Sequence, residues 1–295
     1  MIKKNSLTII IPALNEANNI KSLCQSLISQ NSKYYVLKNI IVASDGSTDD
    51  TVAKAREIKS KKIEVLDFKK RMGKSYRLES IYKKVGSSLT LILDADLKIS
   101  NPNVIDSMVY PFVKSNDVYM TGGNSVPLVG NNFISNSINC TTRPYIRMKD
   151  YVNSLTIGPI LAFRTKFISS IKFPKDLYGE DIFSYLYCLY LGHKYVYCKK
   201  AVVYYKTPSS LSEHISQNTK FLASPIKMKS YFPPTLLDKE NEIPLLKLAS
   251  FMIEEFLRYP LHCTFIFVVN LYCQFLALLK SNKIDSRWMV VSSTK

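Results

Sequence analysis

Asp94 and Asp96, one residue apart at the end of the apolar run Leu91-Ile92-Leu93, are the residues of this chain best suited to chemistry. Carboxylates inside a buried strand cost several kcal/mol each unless they are paired or hold a metal. At the C-terminal end of a strand in an open α/β sheet they stand where such sheets bind ligands. Side chains two residues apart on a strand point to the same face, so Asp94 and Asp96 can converge on one hard divalent cation. A cation there would neutralise a phosphate-bearing ligand. An Asp-x-Asp triplet alone is also what a solvated turn uses, so its meaning depends on the elements around it.

Those elements repeat a pattern. Leu7-Thr8-Ile9-Ile10-Ile11 is stopped by Pro12 and followed by Asn15-Glu16, then by a helical spacing of Ile20, Leu23, Leu27 and Ile28. Ile40-Ile41-Val42-Ala43 ends in Ser44-Asp45-Gly46-Ser47-Thr48-Asp49. Gly46 allows a tight turn there, and Ser47 or Thr48 is placed to cap a helix through Val52, Ala55 and Ile58. Ile63-Glu64-Val65-Leu66 leads to Met72-Gly73-Lys74 and a helical stretch over 75–84. Strand and helix alternating at this spacing predict βαβ units and a parallel sheet. Glu16, Asp45, Lys74, Asp94 and Asp96 then line one crevice at the strand ends.

Taken in order, Ile11-Pro12-Ala13-Leu14-Asn15-Glu16, Ser44-Asp45-Gly46-Ser47-Thr48-Asp49, Gly73-Lys74 and Asp94-Ala95-Asp96 resemble the family 2 glycosyltransferases. Two later segments extend the resemblance. Gly179-Glu180-Asp181, opening an apolar helix, is similar to the family's Glu-Asp motif, whose Asp is the catalytic base. Gln217-Asn218-Thr219-Lys220-Phe221 is similar to the Gln-x-x-Arg-Trp motif of membrane-bound polysaccharide synthases. The resemblance covers roughly residues 6–222. Ser44 stands where the family usually has a first Asp, and Leu14 where it often has Tyr. Lys220 and Phe221 stand in place of Arg and Trp.

The resemblance implies an inverting nucleotide-sugar enzyme of the hexosyltransferase class. Its α/β fold would be the A-type glycosyltransferase fold: a Rossmann-like, mostly parallel sheet with flanking helices, here with C-terminal apolar helices added. Pro12, Ala13, Glu16, Asp45, Lys74, Asp94, Asp96 and Lys220 would bind the nucleotide sugar, with Asp96 and Asp94 holding Mg²⁺ or Mn²⁺. Asp181 would be the catalytic base. Gly158, Glu180, Gln217 and Phe221 would serve the acceptor, with Gly158-Pro159-Ile160-Leu161-Ala162-Phe163-Arg164 flooring the sugar pocket beneath it. The expected division is a catalytic domain over 1–222, with a nucleotide-binding half (1–100) and an acceptor half (101–222), and a helical membrane-associated or oligomerising segment over 223–295.

Composition bounds the partners. A formal net charge of +17 calls for an anionic one, yet the lysines are dispersed and no nucleic-acid-binding signature accompanies them. An anionic membrane surface fits better, because Ile226-Lys227-Met228-Lys229-Ser230-Tyr231-Phe232 mixes cations with large apolar groups. Six cysteines without scaffold spacing read as reduced core residues, and the three scattered histidines give no zinc pattern. The chain enters its first strand at once, so no signal peptide is expected. Leu245 to Leu257 is helical and apolar with Lys247, Glu254 and Glu255, and is interrupted at Pro260. Leu261 to Leu279 carries no charged residue and is just long enough to span a bilayer, but Lys280, Lys283 and Arg287 crowd its far end against the positive-inside tendency. An interfacial helix, a re-entrant hairpin kinked at Pro260 or an oligomer contact is preferred to a plain span.

The expected activity is therefore metal-dependent sugar transfer from a UDP-sugar to a glycan or lipid-linked acceptor, at the cytoplasmic face of the membrane. The alternatives are a polysaccharide synthase working with a separate exporter or partner membrane subunit, a non-catalytic family member, and a nucleotidyltransferase.

Overall fold

The computed structural model describes residues 4–175, 177–240, 242–280 and 292–294. Its strands are β1 (Asn5–Ala13), β2 (Tyr35–Asp45), β3 (Ile63–Phe68), β4 (Leu89–Leu93), β5 (Val118–Pro127), β6 (Ile160–Arg164) and β7 (Lys194–Tyr205). They form one sheet in the order β3-β2-β1-β4-β6-β5-β7. β1 runs parallel to β2 and β4, β2 parallel to β3, and β5 parallel to β7. β6 lies antiparallel between β4 and β5. The predicted mostly parallel α/β sheet is thus the observed one, with β6 as its reversed strand.

The Ile- and Val-rich runs form these strands because both faces of the sheet are covered, so neither face needs polar residues. On one face Leu7, Ile9, Ile11, Ile40 and Val42 pack with α1 (Ile20–Ile28), α2 (Thr51–Arg56) and α4 (Val104–Lys114). On the other, Ile10, Ile41 and Ile92 meet α3 (Lys74–Tyr82), α6 (Thr165–Ser170) and α7 (Glu180–Tyr190). α2 stops at Arg56, so Ile58 packs on the core from just beyond it. Five of the six cysteines are buried and all are free thiols, as a reduced core predicts.

The remaining helices are α5 (Phe133–Met148), α8 (Leu211–Met228), α9 (Pro234–Glu240), α10 (Leu245–Arg258) and α11 (Pro260–Lys280). The division expected at residue 222 falls inside α8, which runs through it unbroken. The apolar segment breaks at Tyr259 as predicted, since Pro260 has no amide proton to continue α10.

α10 and α11 are fastened to α5 by polar contacts. Arg143 pairs with Glu255 and Arg147 with Glu254 (2.6 Å), and Ser137 bonds His262 (2.8 Å). Asn270 of α11 reaches His214 and Asn218 of α8 at 3.0 and 2.8 Å. The opposite faces are open, with Leu246 90% and Leu261 78% exposed beside Leu257, Leu271 and Phe275. Pro260–Leu279, with a mean hydropathy of 1.7, is long and apolar enough to cross a membrane by length and composition. Lys283 and Arg287, part of the basic flank, lie outside the described residues.

Arg143→Ala should leave the buried Glu255 without its counter-charge and loosen the hairpin by roughly 1–3 kcal/mol, the cost of stranding a buried charged group. Limited proteolysis of the segment between α9 and α10 checks this. Cleavage at the wild-type rate would mean that the apolar contacts alone hold the hairpin.

Candidate active site

Asp45 ends β2 and is buried. Its carboxylate accepts from the amides of Met72 (2.9 Å) and Gly73 (2.7 Å) and from Arg77 Nε (2.6 Å). Gly73 lies at φ 97° and Gly46 at φ 79°, both in the left-handed region that favours glycine. A Cβ on Gly46 would stand 3.0 Å from the Arg71 amide nitrogen, so the two loops approach as closely as glycine permits. Arg77 also stacks over Phe68, 4.0 Å from its ring centre. Asp45 therefore holds the 71–74 loop in place.

Ser47 and Thr48 do not cap α2, which begins at Thr51 after Asp50. Ser47 Oγ bonds Ser44 Oγ (3.0 Å) and accepts from the Asn15 amide (3.1 Å), and the Thr48 amide donates to Asn15 Oδ1 (2.8 Å). The Glu16 amide donates to Thr51 Oγ1 (2.7 Å) and that of Ala17 to Asp49 (3.1 Å). The loop after β2 thus satisfies the amides of the loop after β1, where Asn15 sits at φ 57°. Here Ser44, in place of an acid, organises the turn. Pro12 and Ala13 are buried at the end of β1 beneath these loops.

The 71–74 loop delivers Lys74, whose ammonium bridges Asp94 (2.7 Å) and Glu180 (2.8 Å). Burial opposes its charge, but Asp94, Glu180 and Asp181 outweigh that and hold its pKa well above the ordinary lysine value. Lys74 thereby joins the end of β4 to the start of α7. Gly179 precedes α7 at φ 84°, and a Cβ there would lie 2.3 Å from Ser224 Oγ of α8. Only glycine lets α8 come this close, and that contact sets where Glu180 and Asp181 stand. Asp181 is pushed up to about 6, by burial first and then by Glu180. Lys74, Gly158, Pro159, Glu180 and Asp181 line one cleft.

Asp96 faces Asp94 and Glu16. Burial, then these two carboxylates, raise its pKa to about 7. The Asp94 amide donates to Pro159 O (2.9 Å), which pins the end of β4 to the Gly158–Pro159 wall. Asp96, beside an Asp94 that shares its charge with Lys74, offers hard carboxylate oxygens of the kind that fit a divalent cation. Among the described residues no group of three or more His, Cys, Asp or Glu gathers to hold a metal. A cation there would complete its shell with ligand phosphate oxygens and water, as Mg²⁺ does, and carboxylates suit Mn²⁺ equally.

The structure also assigns parts that sequence reading missed. Arg77, three residues beyond Lys74, is the counter-ion of Asp45. Thr294 hydrogen-bonds Asp96 through its side chain, and its carbonyl accepts from Asn19 (3.4 Å). Ser293 is held by Glu213 and by the Ser209 amide (3.0 Å). No local pattern in the sequence marks a pair separated by so many residues. Gln217, Lys220, Phe221 and Ser224 follow one another at helical spacing on α8, so the face that meets Gly179 carries them. Gln217 and Lys220 are half-buried and Phe221 is exposed.

The profile of glycosyl transferase family 2 matches residues 8–172, and the chain belongs to this family. Over 99 residues it is 26% identical to the CsbB protein of Bacillus subtilis (strain 168), covering 33% of this chain and 30% of that protein. Over 106 residues it is 33% identical to the 4,4'-diaponeurosporenoate glycosyltransferase of Staphylococcus aureus (strain bovine RF122 / ET3-1), covering 35% and 27%. The chain thus matches under a third of the length of these relatives.

Among solved structures, the mannosyltransferase PcManGT of Pyrobaculum calidifontis, in complex with GDP-Man and Mn²⁺, superposes with a TM-score of 0.69 at 14% identity, covering 95% of this chain and 88% of that one. Glucosyl-3-phosphoglycerate synthase of Mycobacterium tuberculosis, in complex with Mn²⁺, UDP and phosphoglyceric acid, gives a TM-score of 0.57 at 17% identity, covering 78% and 80%. These likenesses bear on fold, and the fold they share is the A-type glycosyltransferase fold.

Gly179→Ala should cost more than about 1 kcal/mol, through both the left-handed backbone and the clash with Ser224. Adding Ser224→Gly should recover the clash but not the backbone strain. Thermal unfolding of both variants measures the two parts. Full recovery in the double variant would show that φ at residue 179 carries no strain.

Proposed function

We propose that the chain is an inverting, metal-dependent glycosyltransferase that moves a sugar from a nucleotide diphosphate sugar, a UDP-sugar in the first instance, to a lipid-linked or surface-glycan acceptor. The observation that carries this reading is the Lys74 ammonium, which pairs with Asp94 just beyond β4 and with Glu180 at the start of α7 and lines one cleft with Glu180 and Asp181. Asp96, with the free lobe of Asp94, would hold Mg²⁺ or Mn²⁺, which when bound offsets the charge of the departing diphosphate. Lys74 stabilises the same charge from the 71–74 loop, and Lys220 is assigned to it from α8. Lysine supplies a point charge there, without the two-pronged grip of the arginine usual in the family. Glu16, with the Pro12–Ala13 end of β1 and the loop that Asp45 holds, frames the nucleotide.

Asp181 takes the proton of the acceptor hydroxyl while its oxygen bonds to the anomeric carbon and the bond to the phosphate oxygen breaks. One displacement inverts the anomeric centre. Gly158 leaves room at the cleft wall, and Glu180, Gln217 and Phe221 are assigned to the acceptor, Phe221 as a stacking surface. The exposed faces of α10 and α11 support a lipid-linked acceptor at a membrane, with a cytoplasmic-side, non-spanning hairpin as the preferred arrangement. The same faces would suit a copy of this chain or a partner membrane subunit, as a synthase that passes its product to an exporter requires.

Release of nucleotide from a panel of nucleotide sugars, with and without Mn²⁺, tests the activity. No release with any donor would sink it. Asp96→Asn should weaken UDP binding in the presence of Mn²⁺ without unfolding the protein, and calorimetry that finds equal affinity would remove the metal role. Asp181→Asn should spare donor binding and lower turnover by about 10²–10⁴-fold. The base must be unprotonated, so kcat should fall as pH drops through about 6 and hold above it. A pH profile without that acid limb would contradict the assignment of Asp181 as base.

A further inference from the structure

One polar side chain of the cleft has no part in the scheme above. Lys74, Leu78 and Tyr82 follow one another four residues apart on α3, so they share a face, and all three line the cleft of Glu180 and Asp181. Tyr82 stands about 12 Å beyond Lys74 along the helix axis. Helical side chains lean back toward the N-terminus of their helix, which turns the Tyr82 ring toward Lys74 and Glu180. The ring centre lies 6.5 Å from that of Phe173, and Tyr82 is only 2% exposed. Its hydroxyl forms no hydrogen bond among the described residues. Burial, then the charge of Glu180, hold its pKa well above the ordinary tyrosine value, so it stays a donor.

The other polar groups of the cleft already have partners. Lys74 pairs with Glu180 at 2.8 Å, Ser184 Oγ donates to the Glu180 carbonyl at 2.6 Å, and Asp181 accepts from the Ile182 amide at 2.8 Å. A hydroxyl buried without a partner is costly, and a phenylalanine would fill the same space without that cost. The space enclosed is about 20 Å³, enough for one group the size of a water molecule. A sugar hydroxyl has that size. It can accept from Tyr82 while donating to a carboxylate, which satisfies it on both sides. Tyr82 also stands on the core side of the cleft, packed with Leu78, Ile92 and Phe163. An acceptor enters from solvent, so the group that reaches Tyr82 belongs to the ligand bound deepest, the sugar of the donor.

We propose that Tyr82 is a specificity-determining residue, whose hydroxyl hydrogen-bonds one hydroxyl group of the donor sugar. The assignment rests on the glycosyltransferase reading of the cleft. The gain from pairing a buried hydroxyl goes only to a sugar that presents the matching group, so Tyr82 selects against sugars that lack it.

The full chain in detergent with Mn²⁺ is titrated by calorimetry with UDP-glucose, UDP-galactose and GDP-mannose. The donor that binds most tightly is then compared with its own nucleoside diphosphate and with its forms lacking each sugar hydroxyl in turn. Tyr82→Phe should weaken that donor about tenfold and leave affinity for the nucleoside diphosphate within about twofold. One deoxy form should bind the wild type about tenfold more weakly than the parent donor does, yet bind Tyr82→Phe as well as the parent does, because both changes remove the same hydrogen bond. The unfolding temperature of Tyr82→Phe should equal or exceed that of the wild type. A tyrosine that only packed would be indifferent to which hydroxyl the sugar lacks.

Equal donor affinity in wild type and Tyr82→Phe, or deoxy forms whose losses simply add to that of the variant, would overturn the role of Tyr82 and leave the transferase reading standing. A Tyr82→Phe variant that unfolds earlier, or fails to fold, would show the hydroxyl to be structural and overturn the role equally. A wild type that binds none of the three donors would remove the transferase reading, and this assignment with it.

Discussion

Lys74 is the charge on which the arrangement of the site depends. Asp94, Asp96, Glu16, Glu180 and Asp181 converge on a region partly withheld from water, where like charges repel strongly and each carboxylate pays for its lost hydration. The ammonium relieves this on one side by bridging Asp94 and Glu180. The loop that carries it is in turn held by Asp45, through two amides and the Arg77 guanidinium. Charge on β2 is thereby converted into position at the end of β4. On the side of Asp96, burial and the repulsion of Asp94 and Glu16 persist, and they keep its pKa raised.

The acid pair of α7 is set by a different kind of force. Steric contact between Gly179 and Ser224 fixes the first turn of α7 against α8, and α8 is itself bonded to α11 through Asn270. Two systems therefore meet in the cleft. One is electrostatic and belongs to the parallel half of the sheet, and the other is a packing system that extends outward to the apolar hairpin. Lys74 is where they touch.

Legibility in the sequence followed the locality of the physics. The first, second and fourth strands were plain, because uninterrupted, largely apolar runs ended in polar residues. The Gly179-Glu180-Asp181 helix start was plain for the same reason. β5 and β7 gave no comparable signal: β5 carries Gly122 and Gly123 in its middle, and β7 mixes lysines with tyrosines along its length. Ser47 and Thr48 were read as caps because capping is the usual local use of a hydroxyl, but the neighbouring loop after β1 competed for them. Arg77, Thr294 and Lys149 act through residues far away in sequence, and spacing alone carries no trace of such pairs.

α5 has a mechanical character of its own. Along its length it is bonded to the hairpin, through Ser137 at one end and Arg143 and Arg147 toward the other. Its last turn runs into Lys149, which touches the end of β5 at Ser125. A helix of 16 residues is about 24 Å long, so a tilt of about 5° displaces one end by about 2 Å relative to the other. That distance is large compared with the tolerance of a hydrogen bond. α5 is thus a single rigid strut that ties the position of the hairpin to that of Ser125, which packs beside Gly158.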